Sequence, residues 1–107
     1  MARPETELVF SHDARRQLMQ LKPFDQRRLV NAIRKHLVEA NPRSETRNKF
    51  ALDPPPACAD YELRVGNLRA LYRVDVEEDE GTMRVIVALI GKKERNKLIV
   101  EGEVFEL

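Results

Sequence analysis

Tryptophan is absent, cysteine occurs once and histidine twice in a chain of 107 residues. The single Cys58 excludes an internal disulfide, and two histidines with one cysteine provide no zinc-ligand spacing. The four glycines form neither a phosphate loop nor a dinucleotide fingerprint. No metal or cofactor is therefore expected. No apolar run approaches the roughly 20 residues that span a bilayer, so no membrane partner is expected. The opening segment "MARPETELVF" is too polar, and its apolar part too short, for a secretory signal. A cytoplasmic location is the expectation. The length suits one domain over residues 1–107 with one modest core.

Charge is plentiful, and the net value of +1 hides an asymmetry. Residues 11–50 carry ten Lys/Arg against four Asp/Glu, whereas residues 51–107 carry eight against twelve. A basic first half predicts an acidic partner, either nucleic acid or protein.

Periodicity divides the chain. "ELVFS" (Glu7 to Ser11) is a short β-prone run. "SHD" then provides helix-capping residues, and Ala14, Leu18 and Leu21 follow at helical spacing. Three adjacent residues cannot converge as a hydrolytic triad, so Ser11, His12 and Asp13 read as a helix start. Pro23 stops the first helix and suits the first turn of a second. There Leu29, Val30, Ile33 and Leu37 form an apolar stripe, with Arg27, Arg28, Arg34 and Lys35 mostly off it. Asn41-Pro42 ends that helix. Residues 42–59 read as a connection, since Pro54, Pro55 and Pro56 exclude helix and central strand.

The period then changes to two. "YELRV-GN-LRALYRVDV" predicts a β-hairpin with Gly66-Asn67 as its turn. The acidic "EEDEGT" makes a second turn, and "MRVIVALIG" reads as a central strand. The tail "KLIVEGEVFEL" reads as a weak strand or irregular extension. The expected fold is α+β, in the order β-α-α-β-β-β. Two N-terminal helices pack on one face of a mainly antiparallel four-stranded sheet.

A two-residue loop at Gly66-Asn67 sets Val65 against Leu68, Arg64 against Arg69, and Tyr61 against Tyr72. Directly opposed residues share a face. Tyr61, Leu63, Val65, Leu68, Ala70, Tyr72 and Val74 then form a core face, while Glu62, Arg64, Arg69, Leu71, Arg73 and Asp75 form the other. Opposed arginines cost some tenths of a kcal/mol, yet two planar forks suit a phosphate. The strand ending at Gly91 runs antiparallel to its predecessor and brings Lys92, Lys93 and Arg95 toward Arg64 and Arg69. Several cations from three segments are thus expected at one corner.

These residues together resemble the RelE/ParE superfamily of bacterial toxins from type II toxin–antitoxin pairs. The resemblance covers nearly the whole chain: Phe10 and Ala14 in the "F-S-x-x-A" opening, the helical hairpin, "NP" after it, "YELRVGNLRALYRV" and "VIVALIGKKERN". It implies a toxin that binds the ribosome and cleaves mRNA without a metal. In that chemistry a ribose 2′-hydroxyl attacks the adjacent phosphodiester. It also implies that Arg64 and Arg69 hold phosphate oxygens. Lys93 would stabilise the leaving group, Arg95 would support it, and Lys92 and Arg73 would contact RNA. A cognate antitoxin is the implied protein partner.

Two departures bear on function. Many RelE-type nucleases place a tyrosine shortly after the basic exit, where "NKLIVEG" has no aromatic residue before Phe105. Glu62 also stands where a lysine is common. ParE-type members share the fold and poison DNA gyrase, so that activity is the alternative, together with a homologue that only binds an antitoxin.

Overall fold

Ser11 shows how the chain enters its first helix. In the computed structural model, which describes residues 5–77, 79 and 81–106, its Oγ accepts from the Ala14 amide at 3.0 Å and donates to the Ala88 carbonyl at 2.9 Å. One hydroxyl caps the helix and ties it to the sheet. Strand β1 (Glu5–Phe10) precedes this cap, and α1 (His12–Gln20) follows it. Pro23 opens α2 (Pro23–Ile33) at its first turn, and the helix widens into π-helical Arg34–Val38 before Asn41-Pro42. Ala14 on α1, and Leu29, Ile33 and Leu37 on the second helical segment, are buried.

The remaining strands are β2 (Lys49–Ala51), β3 (Tyr61–Val65), β4 (Leu68–Glu77), β5 (Thr82–Glu94), β6 (Lys97–Val100) and β7 (Glu103–Phe105). They form one sheet in the order β2-β3-β4-β5-β6-β7, with β1 pairing in parallel with β5. The α+β class and the two helices on a mainly antiparallel sheet stand as expected. Among the described residues the expected four strands are corrected to seven. The three additions are short: β2 lies inside the supposed connection, and β6 and β7 make a hairpin of the supposed irregular tail. The acidic turn expected at residues 77–82 includes Glu78 and Glu80, which lie outside the described residues.

The β3–β4 register matches the expected one at all five pairs, from Tyr61↔Tyr72 to Val65↔Leu68. Along β4–β5 the register shifts between Leu71 and Tyr72, which leaves Ala88 as the extra residue of a bulge. The bulge keeps Val85, Val87 and Ile90 on the helix-covered face, where they join Leu63, Leu68, Ala70 and Tyr72. Tyr72 stacks on Tyr61 with ring centroids 5.3 Å apart and donates its hydroxyl to the Pro42 carbonyl at 2.7 Å. Lys49 is buried on the same face, where Nζ donates to the His36 carbonyl at 2.6 Å and to that of Asn41. It thereby closes the carbonyl end of the second helical segment.

The opposite face carries a second, smaller cluster of Ala59, Leu71 and Leu98, flanked by Leu89, Val100 and Phe105. The β6–β7 hairpin supplies part of this cover. Among the described residues no helix is long and apolar enough to cross a membrane.

Candidate functional site

The β3–β4 turn organises the corner where the cations were expected. Gly66 has φ +59°, as a left-handed two-residue turn requires. Two arginines hold this turn from opposite faces. From the outer face, Arg69 Nη1 donates to the Gly66 and Leu68 carbonyls at 2.7 and 2.8 Å. From the helix side, Arg28 Nη2 donates to the Val65 carbonyl at 3.4 Å. Lys93 completes the frame, its amide donating to the Asn67 carbonyl at 2.7 Å.

Arg64 and Arg69 are opposed across the hairpin, and Arg69 is also opposed to Gly91 on β5. Leu98, on the outer face, is paired with Lys93. Arg64, Arg69 and Lys93 therefore share the outer face, with the side-chain-free Gly91 between the two strands' cations. The other expected site residues are distributed differently. Lys92 is paired with Leu68 and turns to the helix side, where its Nζ lies 3.9 Å from Asp25. Arg95 occupies the β5–β6 turn with φ 49°. Arg73 lies further along β4 and donates to the Cys58 carbonyl at 3.4 Å. Of the expected gathering of Lys92, Lys93 and Arg95 beside Arg64 and Arg69, Lys93 shares the outer face with the two arginines, Lys92 is corrected to the helix side, and Arg95 sits in the adjoining turn. The basic exit is also corrected: Lys92, Lys93 and Glu94 belong to β5, and the chain turns back at Arg95-Asn96 into β6.

The three grouped cations differ in exposure. Arg64 has about half its side chain in solvent, at 49%. Arg69 is only 9% exposed and its Nε has no partner. Burial lowers the pKa of Arg69 from its ordinary value, the neighbouring Arg64 adds to that, and Glu62 opposes it. Arg69 remains a cation, because a guanidinium titrates far above neutrality. Its position makes it a fixed source of positive potential behind Arg64.

Two further residues complete the site: Glu62, expected on this face only as a departure from a common lysine, and Phe50, which sequence patterning did not single out. Glu62 is 3% exposed, with Oε2 3.6 Å from Arg64 Nε and Oε1 unpartnered. The carboxylate offsets part of the charge at the Nε edge without a hydrogen bond to it. Phe50, opposed to Glu62 on β2, lies beneath the Arg64 guanidinium, with Cζ 4.5 Å from the ring centroid. The short β-prone run "KFA" before the prolines was its only signal.

A groove of about 370 Å³ adjoins Lys93 and is lined by Asn96, Lys97, Leu98, Val104, Phe105 and Glu106. A larger one, about 540 Å³, lies elsewhere, at Thr6, residues 39–43 and Met83. It holds one cation, Arg43, beside Glu39. Charge therefore marks the candidate site better than volume. Its chemistry is that of an anion site: donors fixed on a rigid hairpin and open to solvent on one side.

No protein-family model and no curated protein matches this chain. Among solved structures, it is similar to a chain of the archaeal RelE–RelB complex from Pyrococcus horikoshii OT3, with a TM-score of 0.56 and 18% identity. The match covers 85% of this chain and 98% of that one. The architecture is thus RelE-like.

Proposed function

We propose that this protein is the toxin of a toxin–antitoxin pair and that it stops translation by cleaving mRNA on the ribosome. The observation that carries the proposal is the grouping of Arg64, Arg69 and Lys93 on one face of a RelE-like sheet. The reaction is attack of a ribose 2′-hydroxyl oxygen on the adjacent phosphorus, its proton passing to solvent water, with cleavage of the bond to the departing 5′-oxygen. Charge on the phosphoryl oxygens grows as the new bond forms, so preorganised donors lower the barrier. Arg64 presents its fork to those oxygens. Arg69 adds positive potential from behind, and Lys93 stabilises or protonates the leaving oxygen. Arg95, at the adjoining turn, supports Lys93, while Arg73, further along β4, contacts a more distant phosphate.

A protein antitoxin is the proposed partner, since the similar solved structure is a RelE–RelB complex. The cytoplasm, where mRNA and ribosomes meet, is the proposed location. A gyrase-directed activity is the second reading. It is favoured by one feature: residues 96–104, after the basic turn, contain no aromatic side chain.

A translation extract with primer-extension readout tests the first reading. Wild type should leave new mRNA ends, and Arg64→Ala and Lys93→Ala should not. Arrested synthesis with intact mRNA would overturn it. Loss of gyrase supercoiling in the same preparation would then establish the second.

A further inference from the structure

The Arg64 guanidinium is held in a way that neither the fold nor phosphate binding requires. β2 is only three residues long, and Phe50 is its one outer-face side chain opposed to β3 at Glu62. Phe50 belongs to neither apolar cluster of the protein. Its ring instead lies under Arg64, 4.5 Å from Cζ. The backbones are tied as well. The Arg64 amide donates to the Asn48 carbonyl at 2.6 Å, and Asn48 Nδ2 donates to the Arg64 carbonyl at 3.4 Å. Glu62 Oε2, 3.6 Å from Nε, pairs with one edge of the guanidinium by charge alone. The cation is thus supported from below and from one side, and half its side chain still meets solvent.

A phosphate needs only the donor edge of such a group. The planar face is chemically distinct: nucleobases of unpaired RNA stack on aromatic rings and on guanidinium planes. With its Cζ over the Phe50 ring and half its side chain in solvent, Arg64 is covered on one side and open on another. On these grounds we infer that Phe50 and Arg64 form a layered platform for one unpaired nucleobase, next to the phosphate held at the cation group. The inference rests on RNA being the ligand and goes further by assigning a base site. It also places a stacking surface at the β2 end of the outer face, far along the sheet from the β5–β6 turn. Phe50 is a positioning residue, acting through the plane of Arg64. The base contact belongs to Arg64.

The experiment uses the full chain and a short single-stranded RNA that carries 2-aminopurine and 2′-O-methyl groups throughout, so that it binds without being cleaved. Binding to wild type should quench the 2-aminopurine emission. Without the ring beneath it the Arg64 plane should hold the base less well, so Phe50→Ala and Phe50→Leu should weaken binding by up to roughly 100-fold, the most that one lost base stack removes. Phe50→Tyr should restore both affinity and quenching. Arg64→Lys keeps the charge but removes the plane, so it should retain salt-dependent binding and lose the quench. Thermal unfolding of each variant separates misfolding from lost stacking, and Phe50→Tyr gives a folded control.

Equal binding and quenching by wild type and Phe50→Ala would overturn the platform, as would absence of binding by wild type. Primer extension on the same proteins separates this result from the nuclease reading. Phe50-dependent binding with intact mRNA would leave the platform standing and remove the nuclease. Wild-type cleavage rates in Phe50→Ala would do the reverse.

Discussion

The two faces of the sheet solve different problems. The helix-covered face is apolar and largely satisfied: Leu29, Ile33 and Leu37 meet Leu63, Leu68 and Ile90, the buried Lys49 and Tyr72 have partners, and one buried atom at its edge, Arg28 Nε, has none. The outer face buries Glu62 and Arg69, each with a polar atom that has no partner. Leaving such an atom unsatisfied costs of the order of 1–3 kcal/mol. A sheet selected only for stability would place apolar residues there. The cost is offset by a fixed, outward-facing Arg64. One face thus makes the fold, and the other uses part of that stability to hold charges in place.

The sharpest way to break the contrast is to cut into the helix-covered face. Leu63 is fully buried there, and Leu63→Ala should cost about 2–5 kcal/mol, from lost burial plus the remaining cavity. Urea unfolding should show a lower midpoint at an unchanged slope. A loss below about 1 kcal/mol would mean that the two faces do not differ as described. Tyr72→Phe is the next largest change. It strips the Pro42 carbonyl of its 2.7 Å partner in a buried setting and should cost about 1–2 kcal/mol.

Arg64→Ala sharpens the contrast from the other side. The side chain is half exposed, and its contacts are one cation–π stack and one ion pair. Contacts of this kind contribute roughly 1 kcal/mol or less. Stability should therefore change by about that amount, while the proposed mRNA cleavage, read in a translation extract, should be lost. A fall in stability as large as that of Leu63→Ala would make Arg64 structural.

How much of this was legible in the sequence depended on the length of each signal. Strands β3 and β4 alternate over five and ten residues around a glycine turn, so their register, and the opposition of Arg64 to Arg69, could be read directly. β2 has three residues beside a proline run, too few for any period to show. The β5–β6 turn was hidden for a different reason. Both Arg95 and Asn96 adopt positive φ, at 49° and 67°. Hairpin turns of that shape favour glycine at the second position, so "RN" is a poor signal. Reading the stretch as an exit placed Lys92 and Lys93 together. Continuing the strand puts alternate residues on opposite faces and separates them. Phe50 and the burial of Glu62 were obscured because the outer face is covered by elements that were themselves unreadable.

The smallest expected effect concerns the hairpin that extends the outer face. Glu101, at the β6–β7 turn, accepts from Arg16 Nε at 2.7 Å and from Arg16 Nη2 at 2.9 Å, so α1 latches the hairpin. The hydrogen bond from Arg16 draws the Glu101 carboxyl down to about 2, from an ordinary 4.5. The folded value lies below the unfolded one, so the latch is fully present above about 4.5 and is lost as pH falls through about 2. Both groups meet solvent, so salt should weaken the latch too. Amide exchange in β6 and β7 should accelerate relative to β3 and β4 as the medium is acidified through that window. Glu101→Gln should remove this dependence and show fast exchange throughout. Uniform acceleration across the sheet would mean that the hairpin opens only when the whole domain does, and the outer face would then be as cooperative as the inner one.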